Sequence, residues 1–423
     1  MRIITIWIIG SVALLLFGCG EESIEEIHPE SEPEHLTETL NLFTENEWAV
    51  IESLSPLPDN PPPSPTNRFA DNPDAAQLGQ MFFFDARFSK EGTISCATCH
   101  SPFHGFADVE ATSLGNRRGT RNAPTVLNAA YNKWQFWDGR AETLWTQALF
   151  AFEGEEEQAG TRLQYAHLIK RHYAVKYEAV FGALPELEDA TRFPPQGKPG
   201  DRAFDNMSEA DQIAVNTVFA NIGKAIEAYE RLLIRRNAPF DRYVAGDEEA
   251  ITIEAKRGLK IFIGKGVCVL CHGTPHFRDD DFHNLGLPQG PLPEDTGRFQ
   301  GIAKLLADPF NSSGIYSDSR ADAANTLNLL EPRLEHQGEF KTPTLRNVAL
   351  TPPYFHTGEF PTLASVIEFN DAGGTTNEFV GRSAAPVEPL HLSEQEKSDL
   401  VEFLETLTGE PPPAHLLIKP KLP

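Results

Sequence analysis

The run Cys96-Ala97-Thr98-Cys99-His100 decides the fold of this chain, and its C-x-x-C-H pattern recurs at Cys268-Val269-Leu270-Cys271-His272. This pattern is the attachment signature of haem c. Two thiols three positions apart can bond the two vinyl groups of a porphyrin, and the adjoining histidine can give iron its proximal nitrogen. The sequence therefore predicts two covalently bound haems, with His100 and His272 as iron ligands.

The same four cysteines have two other readings, a disulfide and a zinc cluster. A zinc ribbon places its second C-x-x-C pair about 15 to 20 residues after the first, whereas Cys99 and Cys268 are 169 positions apart. With 13 histidines in 423 residues, composition alone would put one directly after both pairs with a probability of about 0.001. These figures favour two independent haem sites.

Composition limits the class of partner. Hydrophobic residues make up 40% of the chain, which suffices for ordinary cores, and the net charge is −25. Such a charge argues against nucleic acid and anionic membrane surfaces and favours cationic or neutral partners. Because no Lys or Arg occurs between Arg2 and Arg68, part of this charge belongs to an acidic segment and says little about a binding face.

The amino-terminal segment indicates export. Arg2 precedes the apolar stretch 3–17, which is too short for an ordinary membrane span and is typical of a secretion signal. We predict a signal over 1–18, then an acidic, disordered tether over 19–40. Cys19 resembles the acylated cysteine of a bacterial lipobox, which would make a lipid anchor the sole membrane contact on the periplasmic side; a buried free cysteine is the alternative.

An internal repeat divides the mature chain. Gly79 and Gly258 each stand in an A-x-x-G-x-x-x-F pattern ahead of a haem signature. Glycine in a helix costs about 1 kcal/mol relative to alanine, so its presence suggests close backbone approach. We expect a mainly α fold of two cytochrome c-like domains, at 41–240 and 241–410, followed by a tail at 411–423.

Helix signals support this division. Ser393 and Glu396 form a capping box before a late helix, and Ser208 opens a long helix whose apolar residues recur at helical spacing. We interpret those residues as core: Val215, Val218, Phe219, Ile222, Ile226, Tyr229 and Leu233. Residues 56–66 are proline-rich and predict an extended connector. Residues 184–204 and 285–320 predict loops.

Three long runs show a resemblance: QMFFFDARFSKEGTISCATCH (80–100), GTRNAPTVLNAAYNKWQFWDGR (119–140) and FKTPTLRNVALTPPYFHTGEF (340–360). With the two haem signatures they resemble the bacterial dihaem cytochrome c peroxidase family, which includes the MauG-like enzymes. The resemblance covers about residues 41–410. It implies that the amino-terminal haem handles peroxide while the carboxy-terminal haem relays or stores electrons.

The resemblance also implies site residues. Trp137 matches the family's tryptophan between the haems; a core residue is the alternative. Gln147 and Glu157 match the polar pair above the peroxide-binding iron, where a carboxylate can move a proton between the peroxide oxygens while a glutamine holds the substrate. Because Glu155, Glu156 and Glu157 are consecutive, a shifted register or a merely solvated charge run stays open.

A calcium site between the domains is implied by Asn122 and by the carbonyls of Thr351 and Pro353. One amide oxygen, two carbonyls and waters suit a hard cation. A purely structural loop is the alternative. His356 matches a family position near the second haem, but the sequence gives no role for it.

Two positions depart from the family pattern. Peroxidases of this family carry a histidine that caps the peroxidatic iron at rest; the matching residue here is Asn116, and His104 does not replace it convincingly. The first haem is therefore expected to be open, as in the MauG-like branch.

The second departure is Asn370. At this position the MauG-like relatives carry tyrosine, and the classical peroxidases carry methionine. Asparagine is a poor ligand for ferric haem, and Met81 and Met207 lie outside the segment that normally crosses the second haem, so we expect that haem to be five-coordinate or water-bound. A register shift that lets another side chain bind iron is the alternative.

Three function classes follow. The leading one is an enzyme that reduces hydrogen peroxide with electrons passed through the second haem from a small redox protein, such as a cytochrome c or cupredoxin, or from an oxidisable protein side chain. The second is a dihaem electron-transfer cytochrome without peroxidase activity. The third is a haem-free structural lipoprotein.

Overall fold

The computed structural model describes residues 42–287, 295–320, 327–375, 377–379 and 388–423. Helices dominate these ranges, and the mainly α prediction is confirmed. The helices are α1 Glu45–Ser53, α2 Pro73–Phe84, α3 Cys96–Cys99, α4 Leu144–Glu153, α5 Arg162–Leu168, α6 Ala174–Phe181, α7 Arg202–Asp205, α8 Glu209–Glu230, α9 Pro239–Val244, α10 Ile253–Ile263, α11 Val269–His272, α12 Arg298–Ala307, α13 Leu363–Asp371 and α14 Glu394–Glu405. Strands β1 Phe282–His283 and β2 Phe340–Lys341 form one antiparallel pair.

Two helix crossings at glycine organise the fold. At Gly79 of α2, an added Cβ would lie 2.5 Å from the backbone carbonyl carbon of Ala225 in α8. At Gly258 of α10, it would lie 2.5 Å from that of Asp399 in α14. Real Cβ atoms essentially never come within 3.0 Å of another heavy atom, so each crossing requires a glycine. The predicted close approach is confirmed in both halves.

Local signals place the crossing helices correctly. The Ser208 side chain accepts a hydrogen bond from the Asp211 backbone N–H, and Ser393 and Glu396 form the predicted capping box. All seven predicted core positions are buried; six lie on α8, and the seventh, Leu233, lies just beyond its end at Glu230. Residues 56–66 contain no helix or strand, as predicted.

The predicted loop over 285–320 is wrong in part, because α12 lies within it. This helix buries Arg298, Gly301, Ile302 and Leu305 on one face. The Arg298 guanidinium lies 4.1 Å from the Phe282 ring centroid and donates to the Gly139 carbonyl at 2.8 Å. An arginine and a glycine thus take core positions that a hydrophobicity pattern does not mark.

Both ends of the described chain cross to the opposite half. In α1, the Trp48 ring meets Tyr243 edge-on with centroids 5.6 Å apart. Near the carboxyl end, the Gln80 side chain donates to the His415 carbonyl at 2.7 Å, and the Tyr229 hydroxyl donates to the Leu416 carbonyl at 2.5 Å. The boundaries at 240 and 410 stay predictions.

The signal over 1–18, Cys19 and the acidic tether over 19–40 lie outside the described residues. Among the helices that are described, none is both long enough and apolar enough to cross a bilayer.

Candidate active site

Both C-x-x-C-H signatures open into a single cavity of about 1410 Å³. Its walls include Cys96, Cys99 and His100 from the first signature and Cys268, Cys271 and His272 from the second. Pockets for drug-sized ligands usually measure about 300–1,000 Å³. The cavity is therefore large enough for more than one such ligand, and it brings the two sites together.

Each proximal histidine is held in the tautomer that metal binding requires. His100 Nδ1 donates to the Phe106 carbonyl at 3.2 Å, and His272 Nδ1 donates to the Phe277 carbonyl at 2.6 Å. Since a carbonyl can only accept, Nδ1 carries the proton and Nε2 keeps its lone pair for iron. Burial lowers the pKa of both imidazoles and favours the neutral form that binds metal.

The four cysteines fit haem c better than the alternatives. Cys96, Cys99, Cys268 and Cys271 are all free thiols. Over the ranges that the structure describes, the one group of three or more side chains close enough to hold a metal ion joins Cys271 to Asp279 and His283, with no second cysteine. Neither a disulfide nor a four-cysteine zinc site is formed. Two thiols and one histidine per signature match a covalently attached haem.

Trp137 lies in the cavity wall, in contact with residues of both halves. Its indole Nε1 donates to the Asn122 carbonyl at 2.9 Å, and its ring meets His356 edge-on with centroids 6.3 Å apart. His356 stacks on Phe340 with centroids 3.5 Å apart and planes at 17°. Burial lowers the pKa of His356 to about 3, so this imidazole is neutral. The structure thus gives His356 a place in an aromatic chain that the sequence did not reveal.

Gln147 and Glu157 line the same cavity. Thr143 caps α4 by accepting a hydrogen bond from the Thr146 backbone N–H; Gln147 lies in the next turn, and Glu157 follows the end of that helix. The Glu157 side chain is 39% exposed, and its carboxylate lies 3.9 Å from the Arg140 guanidinium. Burial raises the pKa of Glu157, and Arg140 opposes that rise. Glu155 and Glu156 line the cavity as well, and Glu155 pairs with Lys198 at 3.1 Å, so the register within the three glutamates stays a prediction.

A charged network supports this pocket, and the sequence did not predict it. Arg140 donates to Asp138 at 3.1 Å, and its guanidinium lies 3.4 Å from the Phe136 ring centroid. Asp138 is fully buried and also pairs with Arg121 at 2.8 Å; burial would raise its pKa, but Arg140 and Arg121 together hold that pKa at about 2. Arg121 in turn binds both oxygens of Asp295 at 2.6 Å. Arg140 is therefore fixed on two sides before it reaches Glu157.

The residues of the predicted calcium site line the same cavity. Asn122, Thr351 and Pro353 all line it. The Asn122 side-chain N–H₂ donates to the Glu110 carbonyl at 3.0 Å, which leaves its Oδ1 available. Within the described part of the chain, no donor is bonded to the Thr351 or Pro353 carbonyl. These oxygens are of the type that a hard cation prefers.

Asn116 is bonded to the backbone of the glutamate segment, behind the residues that line the cavity. Its backbone N–H donates to the Glu157 carbonyl at 2.6 Å, and its side chain donates to the Glu155 carbonyl at 2.9 Å. His104 is exposed and bonds Ser101. The histidines that line the cavity, among the residues described, are His100, His272, His283 and His356.

Asn370 in α13 lines the cavity, and its side chain donates to the Val366 carbonyl at 2.8 Å. Met81 and Met207 are both buried in the core cluster around α8 and do not line the cavity. Neither methionine is therefore placed to bind the second iron.

A mainly helical chain with two haem c sites in one cavity is a dihaem c-type cytochrome by architecture. Residues 73–249 match the family model of di-haem cytochrome c peroxidase. The chain is 35% identical over 388 residues to cytochrome-c peroxidase IdrP1 of Denitromonas iodatirespirans, which covers 89% of this chain and 91% of that protein. The chain therefore belongs to the di-haem cytochrome c peroxidase family and is a peroxidase-type oxidoreductase with two haems c.

Other relatives span both branches of the family. Cytochrome c551 peroxidase of Pseudomonas aeruginosa is 34% identical, over 79% of each chain. Methylamine utilization protein MauG of Methylorubrum extorquens is 31% identical, over 87% of each chain. Among solved structures, a MauG-like protein associated with microbial copper homeostasis aligns with a TM-score of 0.60 and 26% identity, covering 86% of this chain and 98% of that one. The relatives establish the family without selecting one branch.

Proposed function

We propose that this protein is an exported peroxidase that reduces hydrogen peroxide at the amino-terminal haem with electrons passed through the carboxy-terminal haem. The supporting observation is the shared cavity: Gln147 and Glu157 line it together with His100, and Trp137 and His272 line it as well. A plain electron carrier needs no acid–base pair facing an attachment site. The dihaem electron-transfer cytochrome stays the alternative.

The overall reaction joins one hydrogen peroxide, two electrons and two protons to give two waters. The haem, when bound, supplies the iron that binds peroxide and passes electrons. Glu157 would take a proton from one peroxide oxygen and deliver it to the other, so that the O–O bond can break with water as the leaving group. Gln147 holds the substrate by hydrogen bonding. Arg140, 3.9 Å from Glu157, favours the carboxylate form that this transfer needs.

Trp137 is the proposed electron bridge between the two sites. The Asn122 carbonyl fixes its indole, and the His356–Phe340 stack packs beside it. A calcium ion held by Asn122, Thr351 and Pro353 would stiffen this same junction, because Asn122 belongs to both arrangements. Loss of the ion should then disturb electron transfer before it disturbs haem binding.

The proposed location is the periplasmic side of a bacterial membrane, with a lipid anchor on Cys19. Haem c is attached outside the cytoplasmic membrane, which agrees with the signal over 1–18. The electron source is a small redox protein, a cytochrome c or cupredoxin, or an oxidisable side chain of a protein substrate. The charge of −25 favours a cationic or neutral partner.

Stopped-flow spectra of the purified diferric protein, mixed first with peroxide and then with candidate donors, test this proposal. Glu157→Gln should slow peroxide consumption by ~10²-fold or more, the usual scale for a lost acid–base group, with little change in the resting spectrum. Glu156→Gln is the matched control, since it changes the neighbouring carboxylate. If only Glu156→Gln is slow, the assignment is off by one residue; if the wild type leaves peroxide unchanged, the carrier alternative stands.

The position of Asn116 adds a second test. Asn116 is bonded to the segment that carries Glu155 and Glu157. Besides His100 and His272, the described histidines that line the cavity are His283, which is bonded to Asp279 at 2.6 Å, and His356, which is stacked on Phe340. With both histidines engaged in this way, the first haem should be open at rest. Electron paramagnetic resonance of the fully oxidised protein should show a high-spin ferric haem before any donor is added. A spectrum that is entirely low-spin until half reduction would contradict this.

A further inference from the structure

A second, smaller cavity of about 280 Å³ adjoins the haem cavity. The two share Asn132, Gln135 and Leu144 in their walls. The outer cavity is rimmed by exposed prolines, including Pro62 and Pro63, and so opens toward solvent. Its wall also carries polar side chains, including Thr66, Glu142, Thr143, Glu227, Arg231 and Ser312. This outer cavity can admit water close to the haem site.

Two buried glutamates of α8 line the two cavities, one in each wall. Glu227 lines the outer cavity and Glu230 lines the haem cavity. They are 3% and 2% exposed. Residues three apart on a helix are neighbours on one face. The two carboxyl groups therefore form a pair with one member facing each compartment.

Their hydrogen bonding differs in a way that marks Glu230. Glu227 accepts a hydrogen bond from the Asn67 side chain at 3.0 Å, and Lys224 and Arg231 act on it electrostatically. Glu230 Oε2 is buried with no hydrogen-bond partner in the described structure, and no ion pair to Glu230 is found there. A buried unpaired carboxylate is costly, so this group holds a proton more readily than an exposed glutamate.

The charges around Glu230 agree with that conclusion. Burial, followed by the neighbouring Glu227, raises the pKa of Glu230 to about 8. From the first haem signature, Cys96 is the titratable group that faces it, and it becomes an uncharged thioether once haem is attached. Glu230 can therefore both hold and release a proton near neutral pH.

We propose that Glu227 and Glu230 carry protons from the solvent-facing cavity into the haem cavity. Peroxide reduction consumes two protons, whereas Glu157 only moves a proton that peroxide already carries. The two net protons must come from solvent: each passes from water to Glu227, then to Glu230, then to an oxygen that leaves as water, while the redox partner supplies the two electrons. The need for protons rests on the proposed function; the proton-holding site beside the haem does not.

The first test measures the midpoint potential of the haem at Cys96 against pH by spectroelectrochemical titration, from about pH 6 to about pH 10. The wild-type potential should fall as pH rises through the range in which Glu230 titrates. Glu230→Gln, which has the same shape but no exchangeable charge, should flatten that fall. Glu142→Gln is the matched control, because Glu142 lines the outer cavity but is bonded to Ser312. An unchanged slope in Glu230→Gln would overturn the proposal.

The second test measures proton uptake during peroxide turnover with an indicator dye in a stopped-flow instrument. Glu227→Gln and Glu230→Gln should each slow uptake by about 10-fold or more, and Glu142→Gln should not. Glu227→Gln leaves the wall of the haem cavity unchanged, so this variant still tests the proton path if Glu230→Gln binds haem poorly. Normal proton uptake in Glu227→Gln would refute the path. If the wild-type midpoint potential falls with pH but the protein does not turn over peroxide, the proposed peroxidase function is refuted and the proton-holding site is supported.

Discussion

Replacing Gly79 with alanine should destabilise the protein by about 3 kcal/mol, the upper end of the usual cost of overpacking. The added Cβ would lie 2.5 Å from the Ala225 carbonyl carbon, whereas ordinary contact begins at 3.4 Å. Both sides of this contact are helix backbone, so no side chain can turn away and α2 must move from α8. Phe83, one turn further along α2, packs near His100 with ring centroids 6.5 Å apart. The displacement should therefore reach the first haem ligand.

Thermal unfolding of the haem-loaded protein, followed by circular dichroism, measures this effect. We expect the midpoint to fall by roughly 5–10 °C. Gly119→Ala is the control, since the nearest atoms to its added Cβ are 3.6 Å away, and it should leave the midpoint unchanged. Equal midpoints for Gly79→Ala and the wild type, at equal haem content, would refute the reasoning.

Three further predictions follow from the site. Arg140→Gln removes the cation that favours the carboxylate form of Glu157, so the pKa of Glu157 should rise. Because the base form is lost below that pKa, the acid limb of the peroxidase pH profile should move to higher pH, and Lys304→Gln should move it less. An unmoved acid limb in Arg140→Gln would mean that Arg140 acts only in folding. Near-infrared spectra should lack the methionine charge-transfer band, and Asn370→Ala should leave any low-spin signal unchanged; a band that a Met→Leu variant abolishes would restore a methionine ligand. Chelation should impair electron transfer between the haems more than haem content if calcium binds at Asn122, and equal activity in metal-free enzyme would exclude it.

The sequence revealed those features of the fold that depend on neighbouring residues. Ser208 and Ser393 each cap a helix by bonding a residue three positions later. Gly79 and Gly258 indicate the helix crossings because a glycine within a helical pattern can be recognised from the sequence alone. Helix α12 escaped prediction because Arg298 and Gly301 occupy its buried face. Its N-cap, Gly297, also offers no side chain to bond the first turn.

The supporting parts of the site depend on distant residues, and for that reason local patterns did not indicate them. Arg121 stands in a recognisable run, yet its partner Asp295 is 174 positions away in a segment without a motif. Glu230 reads as one more charge on a long helix until the cavities on either side of it are known. Five adjacent residues suffice to predict a haem attachment site, whereas the proposed proton path can be inferred only from the assembled fold.

The exchange of ends between the halves has a consequence for how the protein can be divided. The Arg346 guanidinium donates to the Leu54 carbonyl at 3.2 Å, and the Tyr229 hydroxyl donates to the Leu416 carbonyl at 2.5 Å. A protease cut in the connection near Gly246 would leave two fragments, and one end of each fragment would still pack against the other. The nicked protein should stay together as a complex and keep both haems. Either fragment expressed alone would lack the end segment that the other fragment supplies, and it would expose apolar surface that the intact chain covers.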